Sequence, residues 1–136
     1  MSDRPAVLFV NEAFYDAFRA RDMATMDALW AREEPVSCIH PGWRAIEGRD
    51  QVMESWEGIL TGDSAPDIYC RNAEAHLLGD MAYVICYEVI GNTVLVATNV
   101  LRRAAGAWHL VHHQAGPCDL PPELLESDED QGGALQ

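Results

Sequence analysis

Apolar residues at Val7, Val10, Phe14, Ala17 and Phe18 recur at spacings of three and four, which predicts a helix from Val7 to Arg21 with one buried stripe. Asp22 can accept hydrogen bonds from the free N–H groups of a following first turn, so a second, short helix is predicted from Met23 to Trp30, with Leu29 and Trp30 inward. Val36 to His40 is short, apolar and β-prone, and Pro41-Gly42 breaks it, leaving His40 at the end of a strand. A third helix follows from Gln51 to Leu60, with Val52, Trp56, Ile59 and Leu60 on one face. After a loop from Thr61 to Pro66, four strands are predicted: Ile68 to Leu78, Met81 to Ile90, Thr93 to Arg103 and Ala107 to Ala115. Tight turns at Gly79-Asp80, Gly91-Asn92 and Ala105-Gly106 join them. Helices first and an antiparallel meander afterwards imply an α+β fold with the helices against one face of a curved sheet.

Composition narrows this picture. A chain of 136 residues, 49% of them hydrophobic, supports one core and one domain. Its net charge of -13 excludes nucleic acid and anionic membranes as partners, because phosphate binding needs clustered Lys and Arg. Much of the acid lies in Asp119, Glu123, Glu126, Asp128, Glu129 and Asp130, a stretch with no basic residue, flanked by Pro121-Pro122 and Gly132-Gly133. Residues 119–136 are therefore expected to be a solvated, disordered tail behind a domain spanning 1–118. Cys38, Cys70, Cys86 and Cys118 are scattered without a CxxC pair, which suits reduced thiols in a cytoplasm. The opening residues pass directly into an amphipathic pattern with no leader-like apolar run, and no segment has the length of a membrane span.

The order of elements, together with the stretches CIHPGWRAIEGRD, AHLLGD, ATNVLRR and AWHLVHHQAG, resembles the nuclear transport factor 2-like superfamily. That superfamily includes ketosteroid isomerase, SnoaL-like polyketide cyclases, scytalone dehydratase and a kinase association domain. The resemblance runs from about Val7 to about Cys118 and implies a cone-shaped, cystatin-like α+β barrel around three N-terminal helices. Similarity to ketosteroid isomerase places His40, before Pro41, where that enzyme keeps its general base. Its two oxyanion donors match Phe14, which cannot donate, and Asn99, which can. Pocket arginines of the kinase association domain match Glu88, Asn99 and Ala115, so that domain's anion pocket is not reproduced.

Strand alternation decides which of these side chains share a face. Val84, Cys86 and Glu88 form one set, Leu95, Ala97, Asn99 and Leu101 another, and His109, Val111, His113 and Ala115 a third. The arginine positions of the kinase association domain imply that these sets face inward. Trp108, Leu110 and His112 would then lie on a convex outer face with Tyr87 and Thr98, available for a homodimer, and His112 and His113 could not grip one metal ion. Glu88 has an alternative as a rim residue paired with Arg71 or Arg102.

The expected site thus contains His40 as candidate base and Asn99 as candidate oxyanion donor. Phe14, Trp30, Trp43, Trp56, Glu88 and His113 are expected to line the pocket. Trp43, in the Pro-Gly turn, suits the mouth. No spacing motif supports a metal or a cofactor, so none is assigned. The expected function is binding of a small, largely apolar organic molecule, with proton transfer, dehydration or hydrolysis open to it. The alternative is a non-catalytic association module with a vestigial pocket.

Overall fold

A computed structural model describes residues 3–126. Helix α1 (Asp3–Ala20) buries Val7, Asn11, Phe14, Tyr15, Ala17 and Phe18. It begins upstream of Val7 because Asp3 and Pro5 suit a first turn: the carboxylate faces the positive helix end, and proline has no N–H to leave unpaired. Arg21, in the left-handed region at φ 55°, turns the chain. Asp22 then caps α2 (Met23–Leu29), accepting from Thr25 N at 3.1 Å and Thr25 Oγ1 at 2.6 Å. Trp30 lies just past that helix rather than inside it, extended and bridged to Leu110.

Strand β1 (Ser37–Ile39) forms a small antiparallel hairpin with β2 (Ile46–Glu47), a pairing the hydrophobic pattern was too short to reveal. Helix α3 (Arg49–Thr61) starts at Gly48, whose φ of 91° suits glycine. The Arg49 guanidinium donates to the carbonyls of Asp27, Trp30 and Ala31 and pairs with the Asp27 carboxylate at 2.8 Å. It therefore fastens α3 to the otherwise unsatisfied end of α2.

The long strands are β3 (Tyr69–Leu78), β4 (Met81–Ile90), β5 (Thr93–Ala104) and β6 (Ala107–Pro117). The six strands run in the order β2-β1-β6-β5-β4-β3. Every neighbouring pair is antiparallel except β1 and β6, which are parallel, so the sheet is mixed. Its two edges do not meet, and the result is an open cone of sheet over the helices.

Two irregularities re-aim side chains. In β3 the register shifts between Arg71 and Glu74, with Asn72 at φ 55°. In β6, Val100 pairs with His112 but Leu101 pairs with Leu110, so Val111 is an extra residue. Strict alternation had placed Trp108 and Leu110 on the convex face. The bulge corrects that assignment: both are buried in the core, and beyond it His113 and Ala115 are buried too. Tyr87, Thr98 and His112 remain on the outside.

After β6 a 3-10 turn (Pro122–Leu124) leads to Glu126, whose N–H donates to Asn72 Oδ1 at 2.9 Å. The remainder of the expected acidic tail, residues 127–136, lies outside the described residues. No helix among the described residues is long and apolar enough to cross a membrane.

Candidate active site

A cleft of about 1200 Å³ opens between the β1–β2 hairpin, α3 and the inner ends of β4 and β5. Its apolar walls include Phe18, Ile46, Ile59, Ile68 and Leu95, and its floor carries His40 and Glu88. Trp43 stands at the mouth, 51% exposed, with its ring edge-on to His40 at 4.8 Å. The Pro41-Gly42 turn places it there, and Trp43 N donates to His40 O at 2.9 Å.

His40 is held in one tautomer by donor counting. The single hydroxyl hydrogen of Ser55 goes to Val52 O at 2.7 Å, so Ser55 Oγ accepts from His40 Nε2–H at 2.9 Å. Nδ1 of the neutral ring is then an acceptor. Burial lowers the His40 pKa to about 4, so the ring is neutral at physiological pH and a weaker base than a solvated imidazole. Trp56 packs edge-on against it at 4.7 Å.

Behind the floor lies a buried polar network joining α1 to three strands. Asn99 Nδ2 donates to Asn11 Oδ1 at 2.7 Å and to Tyr15 Oη at 3.2 Å, which uses both of its hydrogens. Asn99 Oδ1 consequently accepts from His113 Nδ1–H at 2.5 Å, leaving His113 Nε2 unprotonated. Tyr15 Oη passes its own hydrogen to Glu88 Oε2 at 2.7 Å. His113 Nε2 lies 3.8 Å from the same Oε2.

The last pair has the spacing of an ion pair but not the charge of one. Burial, with help from His40 and His112, lowers the His113 pKa to about 3. Burial raises that of Glu88 to about 7, against the opposing pull of the Tyr15 hydrogen bond. Both groups are driven toward their neutral forms, as expected where desolvation outweighs attraction. A gap of 3.8 Å is also too long for Oε2–H to donate to Nε2. Glu88 Oε1 makes no hydrogen bond among the described residues, while Oε2 is shared with Tyr15.

The expected site residues divide between two layers. His40, Trp43 and Glu88 line the cleft. Phe14, Trp56, Asn99 and His113 are buried behind it; Phe14 lies edge-on to Trp56 at 5.3 Å and tilted on His113 at 4.9 Å. Trp30 is in the core beside Leu110, away from the cleft. Asn99 is saturated by Asn11, Tyr15 and His113 and has no donor to spare for an oxyanion. His40, His113 and Glu88 do not form a group that could hold a metal ion among the described residues.

Sequence reasoning passed over Tyr15, Asn11 and Ser55. The hydroxyl sought at Phe14 is supplied one residue later, because the buried stripe of α1 is wide enough to admit both positions. Val7, Asn11 and Tyr15 are spaced by four, and a periodicity count that included polar residues would have turned the last two inward. Cys38 and Cys70 are no nucleophiles: burial and the nearby Glu88 push Cys38 up to about 12, and a hydrogen bond with Cys86 plus burial push Cys70 higher still.

An open α+β cone with a cleft on its concave side defines the NTF2-like class. Residues 7–118 match the SnoaL-like domain, and the chain belongs to that family. A candidate dehydratase of the NTF2-like family from Streptomyces avermitilis is 31% identical, with a TM-score of 0.78, covering 87% of this chain and 97% of its own. A candidate calcium/calmodulin-dependent protein kinase type II association domain from Thiobacillus denitrificans is also 31% identical, with a TM-score of 0.73 over 81% of this chain and 93% of its own. A Caulobacter vibrioides protein at 14% identity shares the fold alone, described as cystatin-like, with a TM-score of 0.76 over 88% of this chain and 90% of its own. The F-box protein SKIP8 of Arabidopsis thaliana is 30% identical over 112 residues, or 81% of this chain. The chain spans about half the length, 48%, of that curated relative.

Proposed function

We propose that this protein binds a small, largely apolar organic molecule in the cleft and carries out a proton transfer on it, in a reducing, cytoplasmic setting. The observation that carries the reading is the placement of two buried ionisable side chains, His40 and Glu88, on the floor of a cleft whose walls are mostly apolar. Apolar walls supply affinity, and two polar groups fix orientation. The 31% identity to a candidate dehydratase supports chemistry of this kind, since dehydration also depends on moving protons to and from the substrate.

Fragment screening by NMR tests the binding. Small aromatic fragments are expected to shift the Trp43 indole and His40 ring signals and to lose affinity in Trp43→Ala. Fragments that bind only outside the cleft, or none that bind at millimolar concentration, would overturn the reading.

A second reading, compatible with the first, is a homodimer through the outer sheet face. Its support is a run of exposed and half-buried apolar side chains, Tyr83, Ile85, Tyr87, Val96 and Val100, with no cover among the described residues.

A further inference from the structure

Among the groups on the cleft floor, the two candidates for moving a proton are held differently. His40 has its Nε2–H committed to Ser55 and its ring wedged between Trp43 and Trp56. Glu88 is fixed by Tyr15 at one oxygen and lines the cleft. Tyr15 is itself locked by Asn99, which His113 and Asn11 hold in place. That chain ends at a carboxyl group and at no other side chain of the cleft.

Resting on the proposed binding function, we infer that Glu88 is the acid–base residue of the cleft, positioned by Tyr15, and that its substrate is a small, uncharged, apolar carbon acid. An uncharged substrate fits because the remaining charged lining residues, Arg44 and Glu54, are opposite in sign. Glu88 Oε1 takes the substrate's proton, the C–H electron pair moves into the substrate, and the proton passes back from Oε1 to product or water. Titratable groups facing Glu88 are Tyr15 from α1, Cys38 and His40 from β1 and its end, Cys70 from β3 and His113 from β6. All are neutral at pH 7, so the carboxyl titrates without a charged neighbour on the floor. Its pKa near 7 puts both protonation states within reach at physiological pH.

The test uses a nitrobenzisoxazole, a neutral aromatic carbon acid. A base removes the ring C–H proton, the electron pair forms the nitrile, the N–O bond breaks, and the pair leaves on oxygen as a coloured phenolate. The full chain is expected to catalyse this elimination with kcat/KM rising through about pH 7. The inflection in kcat should lie higher, because a bound apolar molecule further desolvates the carboxylate. Glu88→Gln is expected to lower the rate by about 100-fold or more. Tyr15→Phe, which removes the hydrogen bond favouring the charged form, is expected to move the inflection to higher pH, a change that a merely structural role would not produce. In His40→Gln the inflection should persist whatever happens to the amplitude.

If the inflection disappears in His40→Gln and survives in Glu88→Gln, the assignment is overturned in favour of His40. If the probe quenches Trp43 fluorescence but is not turned over, Glu88 fails as the acid–base residue while the binding function stands; with neither quenching nor turnover, both fall. Should Glu88→Gln fail to fold, infrared titration of the wild-type chain decides: a neutral carboxylic acid signal must persist at pH 6 and vanish by pH 8.5, and its absence at pH 6 overturns the proposal.

Discussion

At the scale of single residues, the floor of the cleft makes stability depend on pH in two opposing ways. Glu88 has its folded pKa raised from 4.5 to about 7, so the folded chain holds a proton that the unfolded chain has released; stability falls as pH rises across that window. His40 and His113 have folded values lowered from 6.5 to about 4 and about 3, so stability falls as pH drops below 6.5. Two histidines outweigh one carboxyl below pH 6.5, and above about pH 7 the two trends nearly cancel, so urea unfolding is expected to show stability rising from acid pH to a plateau near pH 7. Glu88→Gln removes the carboxyl's opposing trend, making the protein more stable above pH 7 by up to about 3 kcal/mol, while still accepting the Tyr15 hydrogen bond. A variant less stable than wild type at pH 8 would mean that ionised Glu88 is better solvated than its burial implies. The same residues show the limit of reading a site from sequence: Trp43 was accessible from turn chemistry and Glu88 and His40 from family resemblance laid over alternation, whereas the proton positions that decide their roles depend on Ser55 and Tyr15, contributed by two helices distant in the chain.

At the scale of elements, the helices and the hairpins of the four long strands were legible because each carries a local signal, whereas the two-residue β2 carries none. Asp22 announces α2, and the Gly79-Asp80 and Gly91-Asn92 turns separate strands of regular alternation. What was not legible is where alternation stops. A bulge adds one residue without altering composition, and nothing in Trp108-His109-Leu110-Val111-His112-His113 distinguishes an interrupted strand from a continuous one. Its consequence is large: it lets Trp108 and Leu110 share the interior with His113 and Ala115. Deleting Val111 should restore strict alternation and force one of those pairs outward. Burial of a large side chain is worth about 1.5–3 kcal/mol, so the deletion is expected to cost several kcal/mol or abolish folding, as measured by thermal denaturation. A stable variant with an intact His113–Asn99 hydrogen bond would show that the strand can absorb the slip elsewhere.

At the scale of the whole molecule, the sheet has a helix-covered inner face and an outer face that nothing described covers. The helices bury the concave side and shelter the polar network, while Ile85 is 39% exposed on the convex side among tyrosines and valines. Sedimentation equilibrium is expected to find a dimer at micromolar concentration, and Ile85→Lys with Tyr87→Lys to give a folded monomer with the cleft intact. A wild-type monomer at that concentration would remove the second reading without touching the first. Arg71–Glu74 offers a different lesson. Strand β3 is an outer edge of the sheet, and an edge displays unpaired backbone groups on which a foreign strand could grow. Here the edge is kinked by its bulge, and Asn72, at the kink, is tied down by the backbone of Glu126 arriving from the far side of the chain. The kink and this contact together interrupt, at that point of β3, the regular ladder an incoming strand would need.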